Sequence, residues 1–264
     1  MALVTGAARG IGAAVATALA REGWTLMLVD VCGPVGGVDY PLPTMSDLIA
    51  VGEGCLQGRA PGVEVAYEQA DVRDQAALDR AVAGAVGVFG GLDAAVACAG
   101  VIAGGDPLWE TTDERFEVLM DVNLAGVWRL ARAAVPALLE RPRPRRGRFV
   151  AIASGGGLVG LPRLAAYSAA KHGVIGLVRS LAAELGPEEI TANAVCPGST
   201  RTAMLEASAA VYGLGSAEEF AVHHMLPRLL EPEEVAAAVV WLCSEAASGV
   251  TGTAFPVDAG MTAR

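Results

Sequence analysis

The 264-residue chain is poor in aromatic residues, at 5%, and in charged ones, at 18%. It has no apolar run near the roughly 20 residues that a membrane-spanning helix needs; stretches such as 235–243 fall far short. Residues 1–5, Met-Ala-Leu-Val-Thr, already read as a strand running into a glycine turn, so neither a secretory leader nor a membrane anchor is expected. The five cysteines, at 32, 55, 98, 196 and 243, form no Cys-x-x-Cys pair, and His172, His223 and His224 stand at no ligand-like spacing to them. That argues against structural zinc or any other bound metal, and against a disulfide framework. Reduced thiols in a cytoplasmic protein are the simpler reading. The adjacent His223-His224 reads as surface helix. A net charge of −10 makes the chain a poor partner for nucleic acid or an anionic membrane. Its one basic run, Arg-Pro-Arg-Pro-Arg-Arg-Gly-Arg at 141–148, reads as a solvated loop before a strand.

What the chain does have is apolar residues, 53% of it, dominated by Ala, Val, Leu and Gly. That composition suits helices packed closely on a buried parallel sheet. Short apolar strands are expected at 2–5, 25–30, 63–70, 92–97, 148–154, 191–196 and 254–257. Helices are expected from the first glycine turn to about residue 22, then at 74–89, 113–139, 167–185 and 232–244. Gly186-Pro187 closes the fourth of these, and Pro232 opens the fifth. The alternation predicts an α/β fold with a doubly wound parallel sheet of about seven strands and helices on both faces, as one domain over 1–264. Two segments break the rhythm. Residues 31–61 are long for a crossover, with a structureless Cys-Gly-Pro-Val-Gly-Gly-Val-Asp-Tyr-Pro-Leu-Pro run at 32–43. Residues 201–228 are expected to form a cover over a site at the strand ends.

The first turn, Thr5-Gly-Ala-Ala-Arg-Gly-Ile-Gly12, joins a strand to a helix. Gly6, Gly10 and Gly12 would let backbone approach a pyrophosphate, and the helix N-terminus offers free N–H donors. No lysine follows, so this is not the phosphate loop of nucleotide hydrolases. Asp30 ends the second strand, where a carboxylate accepts from ribose hydroxyls and repels a 2′-phosphate. That favours NAD over NADP, with Arg9 as the counter-argument. Asp71 ends the third strand, placed for an adenine amino group or as a helix N-cap toward residue 74. Tyr167 and Lys171 lie four apart on one helical face. An ammonium near a phenol lowers its pKa toward a useful range. Ser154 ends a strand and points toward the same place. Asn123 sits among Val122, Leu124 and Val127, where a polar side chain must be satisfied or functional.

These segments together resemble the short-chain dehydrogenases/reductases over essentially the whole chain. The matching pieces are Thr5 to Gly12, Asp71-Val72, Cys98-Ala99-Gly100, Asn123, Ser154, Tyr167-Ser-Ala-Ala-Lys171, Pro197-Gly198 and Val257-Asp-Ala-Gly260. The resemblance implies a Rossmann-like domain, NAD(P) and a homotetramer. It also implies Tyr167 as acid/base, Lys171 as its tuner and ribose ligand, Ser154 as the residue orienting the substrate oxygen, and Asn123 in a water-linked proton path. Gly6, Arg9, Gly10, Ile11, Gly12, Asp30, Val31, Asp71, Val72, Cys98, Ala99 and Gly100 would hold the nucleotide. Pro197, Gly198, Thr200 and Thr202 would line its nicotinamide end. Cys98 stands where the family usually has asparagine, which puts a strand-stabilising hydrogen bond in doubt, and Ala259 replaces a usual glycine.

The segment after Asp30 is similar to the insertion of the mycofactocin-coupled branch of that family. That similarity implies an NAD that stays bound and is recycled by an external redox carrier. The expected activity is hydride transfer between NAD and a small, fairly apolar secondary alcohol or ketone. A catalytically silent NAD-binding regulator and an NADP-dependent carbonyl reductase are the alternatives. A serine hydrolase lacks its Gly-x-Ser-x-Gly elbow here, and an enoyl reductase of the same superfamily usually has a wider Tyr–Lys spacing.

Overall fold

The computed structural model describes residues 1–263. Its strands are β1 (Ala2–Thr5), β2 (Leu26–Asp30), β3 (Val65–Gln69), β4 (Ala94–Ala97), β5 (Arg148–Ile152), β6 (Thr191–Pro197) and β7 (Ala254–Val257). All neighbours pair in parallel, in the order β3-β2-β1-β4-β5-β6-β7. Every residue of β1, β2, β4, β5 and β6 is buried, which is why these strands read as unbroken apolar runs rather than as alternation. Alternate residues nevertheless serve different layers. Ala2, Val4, Leu26 and Leu28 join one hydrophobic core, while Leu3, Met27 and Val29 join the other.

The helices are α1 (Gly10–Arg21), α2 (Met45–Gln57), α3 (Gln75–Phe89), α4 (Asp113–Met120), α5 (Gly126–Leu139), α6 (Ala165–Leu185), α7 (Ala203–Tyr212) and α8 (Pro232–Cys243). Val15 and Leu19 of α1, Leu48 of α2 and Val235 and Val239 of α8 cover one sheet face. Leu78 of α3, Leu119 of α4, Leu130 of α5 and Val174 of α6 cover the other. The doubly wound architecture is thus as expected. Consecutive crossovers diverge between β1, which leads out to β2, and β4, so a crevice opens beyond the C-terminal strand ends.

Three segments gain detail. The run at 32–43 forms no helix or strand, as expected, and the remainder of 31–61 holds one helix beyond those expected, the crossover helix α2. Thr44 accepts from Asp47 N while the Asp47 carboxylate accepts from Thr44 N, a reciprocal cap that starts α2 sharply. The helix expected over 113–139 is interrupted by a π-helical turn at Asp121–Ala125, which contains Asn123. Such wide turns recur where a side chain has work to do inside a helix. The segment 201–228 contains α7 and a 3-10 turn at Ala217–His223, which together bury a small cluster of their own, including Leu205, Phe220 and Leu229. No helix among the described residues is long and apolar enough to cross a membrane.

Candidate active site

The crevice at the strand ends is one cavity of about 680 Å³, in the upper part of the roughly 300–1,000 Å³ typical of ligand pockets. Every residue expected to touch a dinucleotide lines it, from Gly6, Arg9, Gly10, Ile11 and Gly12 through Asp30, Val31, Asp71, Val72, Cys98, Ala99 and Gly100 to Tyr167, Lys171, Pro197, Gly198, Thr200 and Thr202. Ser154 lines it as well. Asn123 alone among the expected catalytic residues does not.

Gly6 and Gly12 of the glycine turn have no room for side chains. A Cβ on Gly6 would sit 2.6 Å from the Ala99 backbone, and Gly6 has φ +66. A Cβ on Gly12 would sit 2.0 Å from the Gly6 carbonyl oxygen. Asp30 is buried at the tip of β2, and one of its carboxylate oxygens accepts from Ala8 N at 3.0 Å, bracing the turn. Its other oxygen has only a long 3.5 Å contact with Cys32 N, which leaves it capacity for a hydroxyl donor. A narrow backbone cradle ending on a buried carboxylate fits an adenosine ribose and a pyrophosphate.

Arg9 lines the cavity with its side chain engaged by residues 40–41. Its guanidinium donates to Pro41 O at 2.6 Å and lies 5.5 Å from the Tyr40 ring centroid. The Tyr40 hydroxyl accepts from Ile102 N at 3.2 Å on the far side. Residues 40–43 thus strap the glycine turn to the loop after β4, and Leu42 and Pro43 join the cavity wall. Asp71 is neither an N-cap nor unengaged. Asp74 caps α3, while Asp71 is held in a fork by the Arg73 guanidinium at 2.7 and 3.0 Å. Burial raises the Asp71 carboxyl, but the Arg73 hydrogen bonds outweigh it and hold it below the ordinary range. Asp71 therefore lines the cavity as half of an ion pair rather than as a lone carboxylate.

At the other end, Ser154 leaves β5 and its hydroxyl accepts from Gly156 N at 3.0 Å. Tyr167 and Lys171 stand one turn apart near the start of α6, and both are buried. The Lys171 ammonium donates to Ile152 O at 2.9 Å and lies 5.8 Å from the Tyr167 ring centroid. Among the described residues it has no carboxylate at ion-pair distance, and burial pulls its pKa down to about 8. The expected lowering of the tyrosine does not appear. Burial raises the Tyr167 hydroxyl, a hydrogen bond with Ser154 lowers it, and the net shift is upward. Each group resists charge because each is desolvated.

Of the 19 basic residues, Lys171 is the only lysine. A chain that uses arginine everywhere else keeps lysine where a compact, titratable ammonium matters.

Asn123 is fully buried behind Gly100. Its amide donates to Val101 O and Leu119 O, both at 3.0 Å, and its oxygen accepts from Val101 N at 3.1 Å. A Cβ on Gly100 would come within 2.9 Å of that oxygen and 3.6 Å of the Lys171 ammonium. The π-turn therefore aims Asn123 at the loop after β4, which carries the cavity wall. The histidine pair is surface helix only in part. His223 is exposed at the cavity rim, whereas His224 is buried, accepting from Ser199 N at 3.1 Å and bonding Arg228 O at 2.6 Å.

The substrate-side wall is apolar. Leu161 and Leu164 face Met204, Leu205 and Phe220 across it. Only the general apolar character of this wall is legible in the sequence, not the part of Tyr212 in it.

A family model described as enoyl-(acyl carrier protein) reductase matches residues 53–262. An uncharacterized NAD-dependent oxidoreductase of Mycobacterium tuberculosis is 40% identical, with 98% of this chain and 94% of that protein covered. A (-)-trans-carveol dehydrogenase of Rhodococcus erythropolis is 37% identical over 99% and 97%. A protein of Mycolicibacterium smegmatis described as a short-chain type dehydrogenase/reductase is 37% identical over 98% and 96%. Among solved structures, a carveol dehydrogenase from Mycobacterium avium in complex with NAD superposes with a TM-score of 0.93 at 36% identity, covering 100% of this chain and 97% of that one.

Proposed function

The chain belongs to the short-chain dehydrogenase/reductase family, and we propose that it is an NAD-dependent oxidoreductase that interconverts a small, largely apolar secondary alcohol and its ketone. The observation that carries this reading is the meeting of Ser154, Tyr167 and Lys171 at one end of a cavity whose other end is the Gly6–Gly12 cradle. Carveol, levodione and dichlorocyclohexadiene-diol figure in the names of relatives and neighbours. A cyclic alcohol suits the leucine- and methionine-lined wall.

Asp30 would hold the adenosine ribose, and the N–H groups at the start of α1 the pyrophosphate. Lys171 would hold the second ribose. Bound NAD supplies the hydride acceptor and, when oxidised, a positive charge on its ring. Ser154 donates to the substrate oxygen and orients it. Tyr167 takes the hydroxyl proton during oxidation and returns it during reduction. Because burial keeps Tyr167 protonated, alcohol oxidation gains rate as pH rises and ketone reduction gains as pH falls. Asn123 holds the loop that bears Gly100 and so fixes the space around the Lys171 ammonium.

The strap formed by Arg9, Tyr40 and Pro41 supports a second element of the reading, that NAD remains bound through many turnovers and is reoxidised in place by an external carrier. Segment 201–228 acts as the substrate lid. Exposed Phe116, Trp128 and Trp241 on α4, α5 and α8 support a homotetramer.

One experiment tests the core. The purified protein is scanned for nicotinamide absorbance, then assayed on cyclic secondary alcohols with added NAD and with an artificial electron acceptor. Turnover of an alcohol supports the reading. Retained NADH with turnover only on the acceptor supports the bound-cofactor element, and free exchange removes it. An enoyl thioester in the same panel addresses the description of the family model. Its reduction in place of any ketone would overturn the alcohol assignment.

A further inference from the structure

We propose that Tyr212 is a specificity-determining residue that clasps α7 to the loop before α6 and thereby limits the length of the substrate. The proposal rests on the dehydrogenase reading above. Residues 203–229 touch a sheet-face core only through the partly buried Met204, Ala207, Val211 and Tyr212. They bury Leu205, Ala209, Ala217, Phe220 and Leu229 among themselves, with Tyr212 packed edge-on to Phe220 at 5.8 Å between ring centroids. A unit with its own small core can shift as a body relative to the sheet.

At the end of α7 the Tyr212 hydroxyl crosses to the opposite wall and donates to Pro162 O at 2.7 Å. Tyr212 and Pro162 both line the cavity, so this bond spans its rim. The acceptor is aimed by an unusual backbone. Arg163 has φ +61, the left-handed region that a residue with a side chain seldom enters. That turn sends two successive carbonyls to two different walls. Pro162 O receives Tyr212, and Arg163 O receives Gly105 N at 3.2 Å from the loop after β4. Gly104 has no room for a side chain there, since a Cβ would meet Arg163 O at 2.6 Å. The loop from 161 to 164 leads directly into the turn of α6 that carries Tyr167. The clasp therefore joins the lid, the loop after β4 and the entry to the catalytic helix. A compact ring fits behind it. An elongated substituent would have to pass where Tyr212 meets Pro162.

The test compares wild type with Tyr212→Phe and Tyr212→Ala, using cyclohexanol and trans-para-pentylcyclohexanol as substrates. The readouts are kcat/KM for each alcohol and amide hydrogen exchange across 203–212. The ratio of kcat/KM for the pentyl compound over cyclohexanol should rise about tenfold in Tyr212→Ala and by a smaller factor in Tyr212→Phe. Exchange in α7 should quicken in both, while exchange in α6 stays put. An unchanged ratio overturns the proposal, as does an equal loss on both alcohols without faster exchange in α7. Should the wild type oxidise neither alcohol, the dehydrogenase reading is what fails. The clasp is then judged on exchange alone, and an unaltered α7 in Tyr212→Phe overturns it.

Discussion

The two ends of the cavity are built from different materials. The nucleotide end is backbone: glycines that tolerate no Cβ, strand tips, and one carboxylate bracing a turn. The substrate end is side chain: leucines, a methionine and aromatics carried on loops and on a segment with its own small core. Backbone recognition fixes a single ligand shape and permits little variation. Side-chain recognition on loops can change without disturbing the sheet. One fold can thus keep its cofactor while its substrate varies.

The largest effect belongs at the junction of the two ends. Tyr167→Phe removes the proton carrier and leaves the cradle intact. Its kcat should fall by about 10²–10⁴, while NADH binding, followed by nicotinamide fluorescence, stays near wild type. If turnover survives, the proton path runs elsewhere and the division into two ends loses its meeting point.

Next comes a single methyl placed at each end. Gly12→Ala puts a Cβ 2.0 Å from the Gly6 oxygen. Overpacking of this kind costs about 1–3 kcal/mol of stability, and here it displaces the turn that would meet the pyrophosphate. Thermal melts should drop and NADH affinity should be largely lost. Val159→Leu, which adds one methylene at the substrate end, should leave NADH affinity alone and shift preference among alcohols by about 10-fold or more. Equal effects of both changes on NADH binding would break the comparison.

How much could be read in advance follows the same division. The strands of the parallel sheet announce themselves because both faces are buried. The glycine turn and the Tyr167–Lys171 pair are local patterns, so spacing alone reveals them. Helix α2 was hidden because Gly52 and Gly54 weaken its pattern, although Thr44 and Asp47 marked its start. The π-turn at 121–125, the Arg73 fork on Asp71 and the Tyr212 clasp were out of reach for another reason. Val101 comes near Asn123, and Pro162 near Tyr212, only in the folded chain, while the Arg73 fork joins near neighbours in sequence and depends on a side-chain rotamer. The expected lowering of the Tyr167 pKa failed on the same ground, because spacing places two groups on one face but says nothing of their desolvation.

A smaller change sharpens the nucleotide end. Asp30→Asn keeps an oxygen for Ala8 N and removes the charge that opposes a 2′-phosphate. Preference for NADH over NADPH should narrow by about tenfold, the scale of one charge-assisted hydrogen bond. Fluorescence titration with both reduced cofactors measures it. An unaltered preference would mean that the strap at Arg9 and Tyr40, not the carboxylate, excludes the phosphate.

The smallest effect is a titration that changes no residue. Lys171 is the only lysine, so biosynthetic ¹³C-lysine labelling gives a single side-chain signal and leaves the residue unmodified. Burial sets the Lys171 pKa at about 8 against an ordinary 10.5, a cost of about 3 kcal/mol held in the folded state. The sign follows from proton binding. Below about pH 8 the folded protein carries the whole penalty of a desolvated ammonium. As pH rises through 8 toward 10.5 the folded state sheds its proton before the unfolded chain does, and the penalty relaxes. The lysine signal of the cofactor-free protein should therefore titrate near pH 8. A midpoint near 10 would mean that the ammonium is solvated, and the substrate end would then meet the nucleotide end across water rather than in a dry pocket.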